Sequence, residues 1–505
     1  MARYKYTAAG AGQGIFLSVN LRAQLLPGTF EYMLNDLIGK EIDISIFDQN
    51  YRNDETGASA IPPGVLIKLI IYGYLKGMKS SRRIEELSRN NIIAKSLSED
   101  IEPHWTTIAD FISRNSGQFQ DVFVKVLAYC GELGLIGGKE FAIDGLRLPS
   151  NASMEMSGTK EELEKKVWTY HRMAEKHVAK HRKQDECKGM DKEAGRHYEE
   201  RQKYLKRQIG KIRSFLETME PKRGKETAEL KSNVTDNESA MIRTSSGFIQ
   251  GYIGIAVTDR ENQIIISADA VGSANEGGHL PEILDNTLAN MGSASVGTPE
   301  GEKLIVLMDN NYFSEANLKA CRNRGVEAII PDDQYRQRFG ENNAGRFESH
   351  DFNYHKEGDC YECPNGKMLN HLKTFKLKGR EWDEYRAGSA DCGSCPFTEK
   401  CIKTHKRKGT ATRMRKSLMV SKNNKGGTLC SEMRKKLNTE EYQNRYAYRI
   451  QIVEPVFANI AYCKGLNRFM LRGKSKVNGQ WKLYCMVHNL SKCLDGYNKK
   501  QGYAL

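Results

Sequence analysis

The chain has 505 residues, ample to bury a sizeable core, so neither disulfides nor a metal is required merely to fold. Lys and Arg total 77 against 63 Asp and Glu, and the resulting +14 suits a phosphate-rich partner, because binding polyanionic DNA releases condensed counterions. The longest apolar stretch, Val65 to Leu75, is broken by Lys68 and is about half the roughly 20 residues a spanning helix needs, so no membrane span is expected.

The N-terminus, MARYKYTAAGAGQGIFLSVNL, lacks an unbroken apolar stretch with a small-residue cleavage site, and the expected location is the cytoplasm. The twelve cysteines then read as thiols or metal ligands rather than a disulfide framework.

Residues 62 to 115 read as a compact helical unit. PPGVLIKLIIYGYLKG opens with prolines that suit a helix start and stops at Gly77. SSRRIEELSRN follows with Ser80 or Ser81 as N-cap, and WTTIADFISRN starts after Pro103 with Thr106 or Thr107 capping. Arg82, Arg83, Arg89 and Arg114 lie on these short helices. Two readings fit: a helix-turn-helix-like DNA reader, or a plain bundle with solvated arginines.

GKEFAID, residues 138 to 144, reads as a short strand ending at Asp144. Leu163, Val167, Tyr170 and Ala174, then Leu205, Ile209, Ile212, Leu216 and Met219, recur at helical spacing, with QDECKGMDKEAG as the turn between them. That is an antiparallel helical hairpin whose charge is either a solvated face or a DNA contact. From 247 the period changes. GFIQGYIGIAVTD and NQIIISADAV form a β-hairpin, HLPEILDNTLANM a helix, KLIVLMD a strand running into Asp309, SEANLKACRNRG a helix stopped by Gly325, and VEAIIP a strand. The alternation implies an α/β layer with a mixed sheet.

Residues 340 to 435 are cysteine-rich, poor in long apolar runs and basic, as in KTHKRKGTATRMRKS. EEYQNRYAYRIQIVEPVFANIAYCKGL reads mainly as helix, with Pro455 forcing a kink or a new helix start near Glu454.

Asp144 and Asp309 each close an apolar strand, and in an α/β sheet the carboxyl ends of strands face the functional crevice. Mg²⁺ favours carboxylate oxygens, and two such ions can activate a nucleophile and stabilise the leaving oxygen of a phosphodiester. Three carboxylates from separate elements suit that chemistry. Glu454, between Val453 and Pro455-Val456-Phe457, supplies a third; the competing reading is an exposed helix-start glutamate. Asp259, Asp269, Glu276, His279 and Asn310 also fall near the expected sheet and are given structural roles.

Four stretches together resemble the DDE transposases of bacterial insertion sequences: PPGVLIKLIIYGYLKGMKSSRRIEELSRNN with TTIADFISRN, FAIDGLRLPSNAS, LMDNNYFSEANL, and RIQIVEPVFANIAYCKGLNRF. The resemblance covers roughly 40 to 490. It implies a ribonuclease H-like mixed sheet with helices on both faces, interrupted by a helical hairpin and a cysteine-rich insert, behind an all-α N-terminal domain. On that reading the N-terminal helical domain spans 1–125 and the catalytic core 135–340, with its hairpin at about 160–225. The insert spans 341–435, and the C-terminal helical part of the core 436–490.

Asp144, Asp309 and Glu454 match the family's acidic triad and would hold Mg²⁺ or Mn²⁺; Arg82, Arg83 and Arg89 are candidate DNA contacts. The implied reaction is cleavage at element ends and strand transfer into target DNA. Its partners would be the double-stranded terminal repeats and target, bound by a nucleoid-associated homodimer assembled on DNA. Alternatives are a catalytically inactive zinc-ribbon derivative and a nuclease without strand transfer. Many relatives carry Tyr-x2-Arg-x3-Glu-x6-Lys; here those slots hold Ala447, Ile450 and Ala461, with Tyr448, Arg449 and Lys464 offset.

Cys360-x2-Cys363 and Cys392-x2-Cys395 resemble two zinc knuckles, with Cys401 as a spare; paired thiolates match tetrahedral Zn²⁺. Five candidates for four places leave the ligand set open.

Overall fold

A computed structural model describes residues 18–51, 59–187, 192–220, 222–223, 229–297, 302–338, 347, 349–377, 380–402, 415–421 and 428–503. The chain opens with six helices: α1 (Phe30–Leu37), α2 (Pro63–Leu75), α3 (Ser81–Asn90), α4 (Ile92–Leu97), α5 (Trp105–Arg114) and α6 (Phe119–Glu132). Pro63 opens α2, and Gly77 follows it at φ +74°, a left-handed conformation that glycine adopts without a Cβ penalty. Ser80 caps α3 as expected, its hydroxyl accepting from Arg83 N–H. The cap of α5 is His104 instead of either threonine: its ring nitrogen accepts from Thr106 N–H at 3.4 Å. α2 is buried almost all round, and Lys68 reaches Asn35 Oδ1 at 2.9 Å.

Next come β1 (Glu140–Pro149), β2 (Ser157–Gly158), α7 (Lys160–Cys187), α8 (Lys192–Thr218), β3 (Ser232–Asn233), β4 (Ala240–Thr244), β5 (Gly247–Asp259) and β6 (Ile265–Val271). They are followed by α9 (Leu280–Ser293), β7 (Ile305–Leu307), α10 (Glu315–Asn323), β8 (Glu327–Ile329) and α11 (Tyr335–Arg338). The expected order of elements is present, with β2, β3 and β4 as additions. Among the boundaries that differ, β7 stops at Leu307, short of Asp309, and β1 runs on through Asp144 to Pro149, because its second half pairs with β5 from Asp144 opposite Ala256 to Pro149 opposite Gly251. The main sheet is mixed. Its order is β4-β5-β1-β7-β8 with β6 also on β5; β1 is antiparallel to β5 and parallel to β7, which is parallel to β8. The hairpin α7–α8 packs around Leu163 and Ile212, a small core of its own; part of its expected turn lies outside the described residues.

The cysteine-rich segment forms a second sheet of β9 (Asn353–His355), β10 (Cys360–Glu362), β11 (Met368–Leu377), β12 (Arg380–Ala387) and β13 (Ser417–Ser421). It is an antiparallel meander with short helices α12 (Ser389–Gly393) and α13 (Thr398–Cys401) between β12 and β13. Most of KTHKRKGTATRMRKS lies outside the described residues.

The chain ends in α14 (Leu429–Leu437), α15 (Glu440–Ala447), α16 (Arg449–Ala458) and α17 (Lys474–Gln501). The break expected near Glu454 falls instead between α15 and α16, and Pro455 sits inside α16. Pro455 cannot donate to the carbonyl four residues back; Gln263 Nε2 donates to that Gln451 oxygen at 3.0 Å instead. α17 is buried through most of its middle and binds the sheet directly. Trp481 Nε1 donates to Ile255 O, and Asn489 bonds both backbone groups of Ile265, all at 2.9 Å. The N-terminal helices, main sheet and α17 share one hydrophobic core, and the second sheet has a separate one around Tyr361 and Tyr385. No helix among the described residues is long and apolar enough to cross a membrane.

Candidate metal centre

Register decides which carboxylates can meet. β1 and β7 run parallel with Ala142 opposite Leu307. Two residues further along each strand stand Asp144 and Asp309, the latter still in extended backbone at φ −80°, ψ 175°. They therefore leave the sheet at one level. Asp309 then caps the single 3-10 turn Asn310–Tyr312 by accepting from Asn311 N–H at 3.0 Å.

A third carboxylate arrives from the turn between β6 and α9. Glu276 is 2 % exposed. It can enter because Gly145, next to Asp144, has no side chain: a Cβ there would stand 1.9 Å from Glu276 Oε2. Gly277 serves the same approach, since a Cβ on it would stand 2.3 Å from the Asn311 carbonyl oxygen. The Asn311 side-chain amide donates to Glu276 Oε1 at 3.1 Å and to Asp309 Oδ2 at 2.8 Å, bracketing two acids with one group. One oxygen from each of Asp144, Glu276 and Asp309 lies within 4.8 Å of the others, the one such cluster among the described residues.

Burial, reinforced by Asp309 and Asp144, pushes the Glu276 carboxyl up to about 7, against the Asn311 hydrogen bond. Burial and Asp144 also raise Asp309, opposed by the Asn311 N–H and by Arg449 and Arg147. Glu276 Oε2 is buried without a hydrogen-bond partner. An orphaned carboxylate oxygen beside two further acids is costly unless a proton or a cation shares the space. The all-oxygen donor set fits a hard divalent ion such as Mg²⁺ or Mn²⁺. Arg449, the first residue of α16, supplies a fixed positive charge by donating from Nη1 to Asp144 Oδ2 at 2.8 Å.

The structure thus brings Asp144 and Asp309 together and does not bring Glu454 into the group. Glu454 is exposed on α16. It lies five residues after Arg449, about 140° around the helix at 3.6 residues per turn, while Ile452, Val453 and Val456 form the buried face. Glu276, given a structural role from sequence, occupies the third place. The available signal was an acid followed by two glycines just after a strand, in SANEGGH. The other acids near the sheet are engaged in hydrogen bonds of their own: Asp259 accepts from Gly137, Glu261 and Asn262 N–H, and Asp269 from Asn286 and Asn478. Asn310 has no bond to the acids among the described contacts; its neighbour Asn311 orders the centre.

Of the three arginines on α3, Arg82 stacks 4.6 Å from the Trp105 ring centroid, and Arg89 pairs with Glu85 at 2.8 Å and Glu102 at 3.7 Å. Arg83 is exposed. Cys363, Cys392, Cys395 and Cys401 line one small cavity in the insert, and Cys360 does not.

A mixed sheet and the turn after β6 bring three carboxylates to one point, a candidate metal centre on an α/β scaffold. The family model described as a transposase DDE domain matches residues 362–494, and the transposase domain (DUF772) matches residues 19–114. The two matches, one at each end of the chain, support a DDE-type insertion-sequence transposase. No curated protein and no solved structure matches it significantly. The DDE-domain match takes in the insert from Glu362 on, α16 with Arg449 and Glu454, and most of α17; Asp144, Glu276 and Asp309 precede it.

Proposed function

We propose that this chain cuts DNA at the ends of an insertion sequence and joins the freed 3′-OH to target DNA. The observation that carries the reading is the group Asp144, Glu276 and Asp309, with an unpartnered oxygen at its centre, in a chain with two transposase-family matches. The three carboxylates act as ligands, not nucleophiles. A divalent cation held by them would polarise the scissile phosphate and favour deprotonation of the attacking hydroxyl. Asn311 fixes the spacing of Asp309 and Glu276, and Arg449 offsets the charge of Asp144.

The mixed order β6-β5-β1-β7-β8, antiparallel on one side of β1 and parallel on the other, supports a ribonuclease H-like core. The four-part domain division read from the sequence belongs to the same proposal, as do assembly as a homodimer on DNA and a cytoplasmic, nucleoid-associated location. Contact with the terminal repeats through α3 would run through Arg82 and Arg83, since Arg89 is committed to Glu85. Phosphate contacts by these residues would make binding fall linearly with salt on logarithmic axes.

The test is incubation of purified protein with Mg²⁺, labelled element ends and a circular target. Asp144→Asn, Asp309→Asn and Glu276→Gln should each abolish cleavage while end binding persists. In this proposal the role first assigned to Glu454 passes to Glu276. Cleavage lost in Glu454→Gln but kept in Glu276→Gln would return the third ligand to α16. Cleavage without joined product would reduce the activity to that of a nuclease.

A further inference from the structure

The insert holds a second constellation, independent of the carboxylates. Strand alternation separates the first cysteine pair: Cys360 opens β10 and Cys363 follows its last residue, three positions on, so they fall on opposite faces. Cys360 Sγ packs 4.0 Å from Met368 Sδ. Cys363 turns the other way, into the partly buried surface that Cys392 and Cys401 also join. The hairpin turn after it is built around its sulfur. Cys363 N–H donates to Lys367 O and Gly366 N–H to Cys363 O, each at 2.8 Å, and Lys367 N–H donates to Cys363 Sγ at 3.4 Å. Gly366, at φ +71°, permits this tight return.

The other three thiols come from α12, α13 and the link between them. Thr398 Oγ1 donates to the carbonyls of Cys392 and Cys395, at 3.1 and 2.7 Å, fixing that turn. α13 then delivers Cys401. The cavity they line with Cys363 measures about 30 Å³, roughly one water's share of liquid volume and so room for a single small ion. Burial raises the Cys401 thiol, and its neighbours Cys392, Cys363 and Cys395 add to that shift. Lys416 donates to Cys401 O at 3.3 Å and opposes that shift.

We infer that Cys363, Cys392, Cys395 and Cys401 bind one structural Zn²⁺, and that Cys360 is not a ligand. Four thiols in one small cavity match the closed tetrahedral preference of zinc. The sulfurs are not yet at metal-bonding spacing, since the one tight cluster among the described residues is the carboxylate group, so binding would contract the ring to about 2.3 Å from the ion. Binding releases the thiol protons and leaves four thiolates around a dication, a net −2 beside the Lys416 ammonium. The ion would clamp the β10–β11 turn to α12 and α13, giving a sheet with a small core a second source of cohesion.

The test is elemental analysis of full-length protein, followed by iodoacetamide footprinting of the zinc-loaded and chelator-treated forms with mass-spectrometric mapping. About one zinc per chain is expected. Cys363, Cys392, Cys395 and Cys401 should resist alkylation until zinc is removed, while Cys360 reacts throughout. In competition with a chromophoric chelator, Cys401→Ser should lose at least tenfold in Zn²⁺ affinity and Cys360→Ser should match the parent. Protection of Cys360 with Cys401 reactive, stoichiometric iron in place of zinc, or no bound metal would overturn the assignment. Footprinting the unsubstituted chain keeps the test valid if a variant fails to fold, and none of these readouts depends on DNA cleavage.

Discussion

Arg449 donates to Asp144 Oδ2 at 2.8 Å across 305 residues of sequence, and both side chains are largely withdrawn from solvent. The pair ties α16 to β1 and places a permanent cation against one of three neighbouring acids. Arg449→Gln should therefore destabilise metal-free protein by about 3 kcal/mol, the scale of an ion pair broken by removing one partner from a low-dielectric site. It should also remove a competitor for the Asp144 oxygen. The rise in Tm on adding Mg²⁺ should then be larger in the variant than in the parent, since a ligand stabilises the folded state according to its concentration over its Kd. Equal increments would show that the arginine and the metal do not compete.

Gly145 tests the centre from the opposite side. A Cβ at this position would meet Glu276 Oε2 at 1.9 Å and Ile253 Cγ2 at 2.5 Å, so alanine must displace the glutamate or the strand. Gly145→Ala should cost about 1–3 kcal/mol, in the range of overpacked interiors, and should abolish Mg²⁺-dependent cleavage. Adding Glu276→Ala should recover part of the stability, because the colliding carboxylate is gone, without recovering cleavage. Thermal unfolding and end-cleavage assays on the parent and the two variants separate the two effects. Cleavage by Gly145→Ala at the parental rate would remove Glu276 from the centre.

These two glycine and arginine contacts show why sequence reached part of the site and not the rest. Element order was legible because each element carries its own periodicity and punctuation, such as Ser80 at an N-cap and Gly77 and Gly325 at stops. Asp309 was legible because it follows an apolar strand directly. Glu276 lies in a short polar turn with no period, and its place depends on a missing Cβ at Gly145 and on Asn311, neither near it in sequence. The outward position of Glu454 was not legible because of Pro455. The proline suggested a new helix start, whereas Gln263 satisfies the orphaned Gln451 carbonyl and lets α16 continue, which sets the helical phase that turns Glu454 outward. Cys360 looked equivalent to Cys363 by spacing alone; only the strand's alternation distinguishes them.

His488, in the middle of α17, gives the fold a defined acid limit. The ring is 2 % exposed, with Nε2 2.9 Å from the Gln263 carbonyl and Nδ1 3.1 Å from Asn459 Oδ1. Burial lowers its pKa to about 4, the Gln263 carbonyl opposes that shift, and Lys464 and Lys492 add to it. In the unfolded chain the ring returns to its ordinary value near 6.5. Between those values the unfolded state holds the extra proton, so stability falls as pH drops from about 6.5 to about 4 and is unaffected by this group above 6.5. The full shift corresponds to about 3 kcal/mol. Replacing the ring by an uncharged hydrogen-bonding side chain, His488→Gln, should lower stability at pH 7.5 through lost packing. It should also flatten this limb, so that the difference between variant and parent narrows steadily as pH falls from 6.5 to 4. Denaturant unfolding at closely spaced pH values reads that difference directly, with the carboxylates common to both proteins cancelling. A gap that stays constant across the window would mean that His488 is already charged in the folded protein, held by its two oxygen acceptors despite its burial.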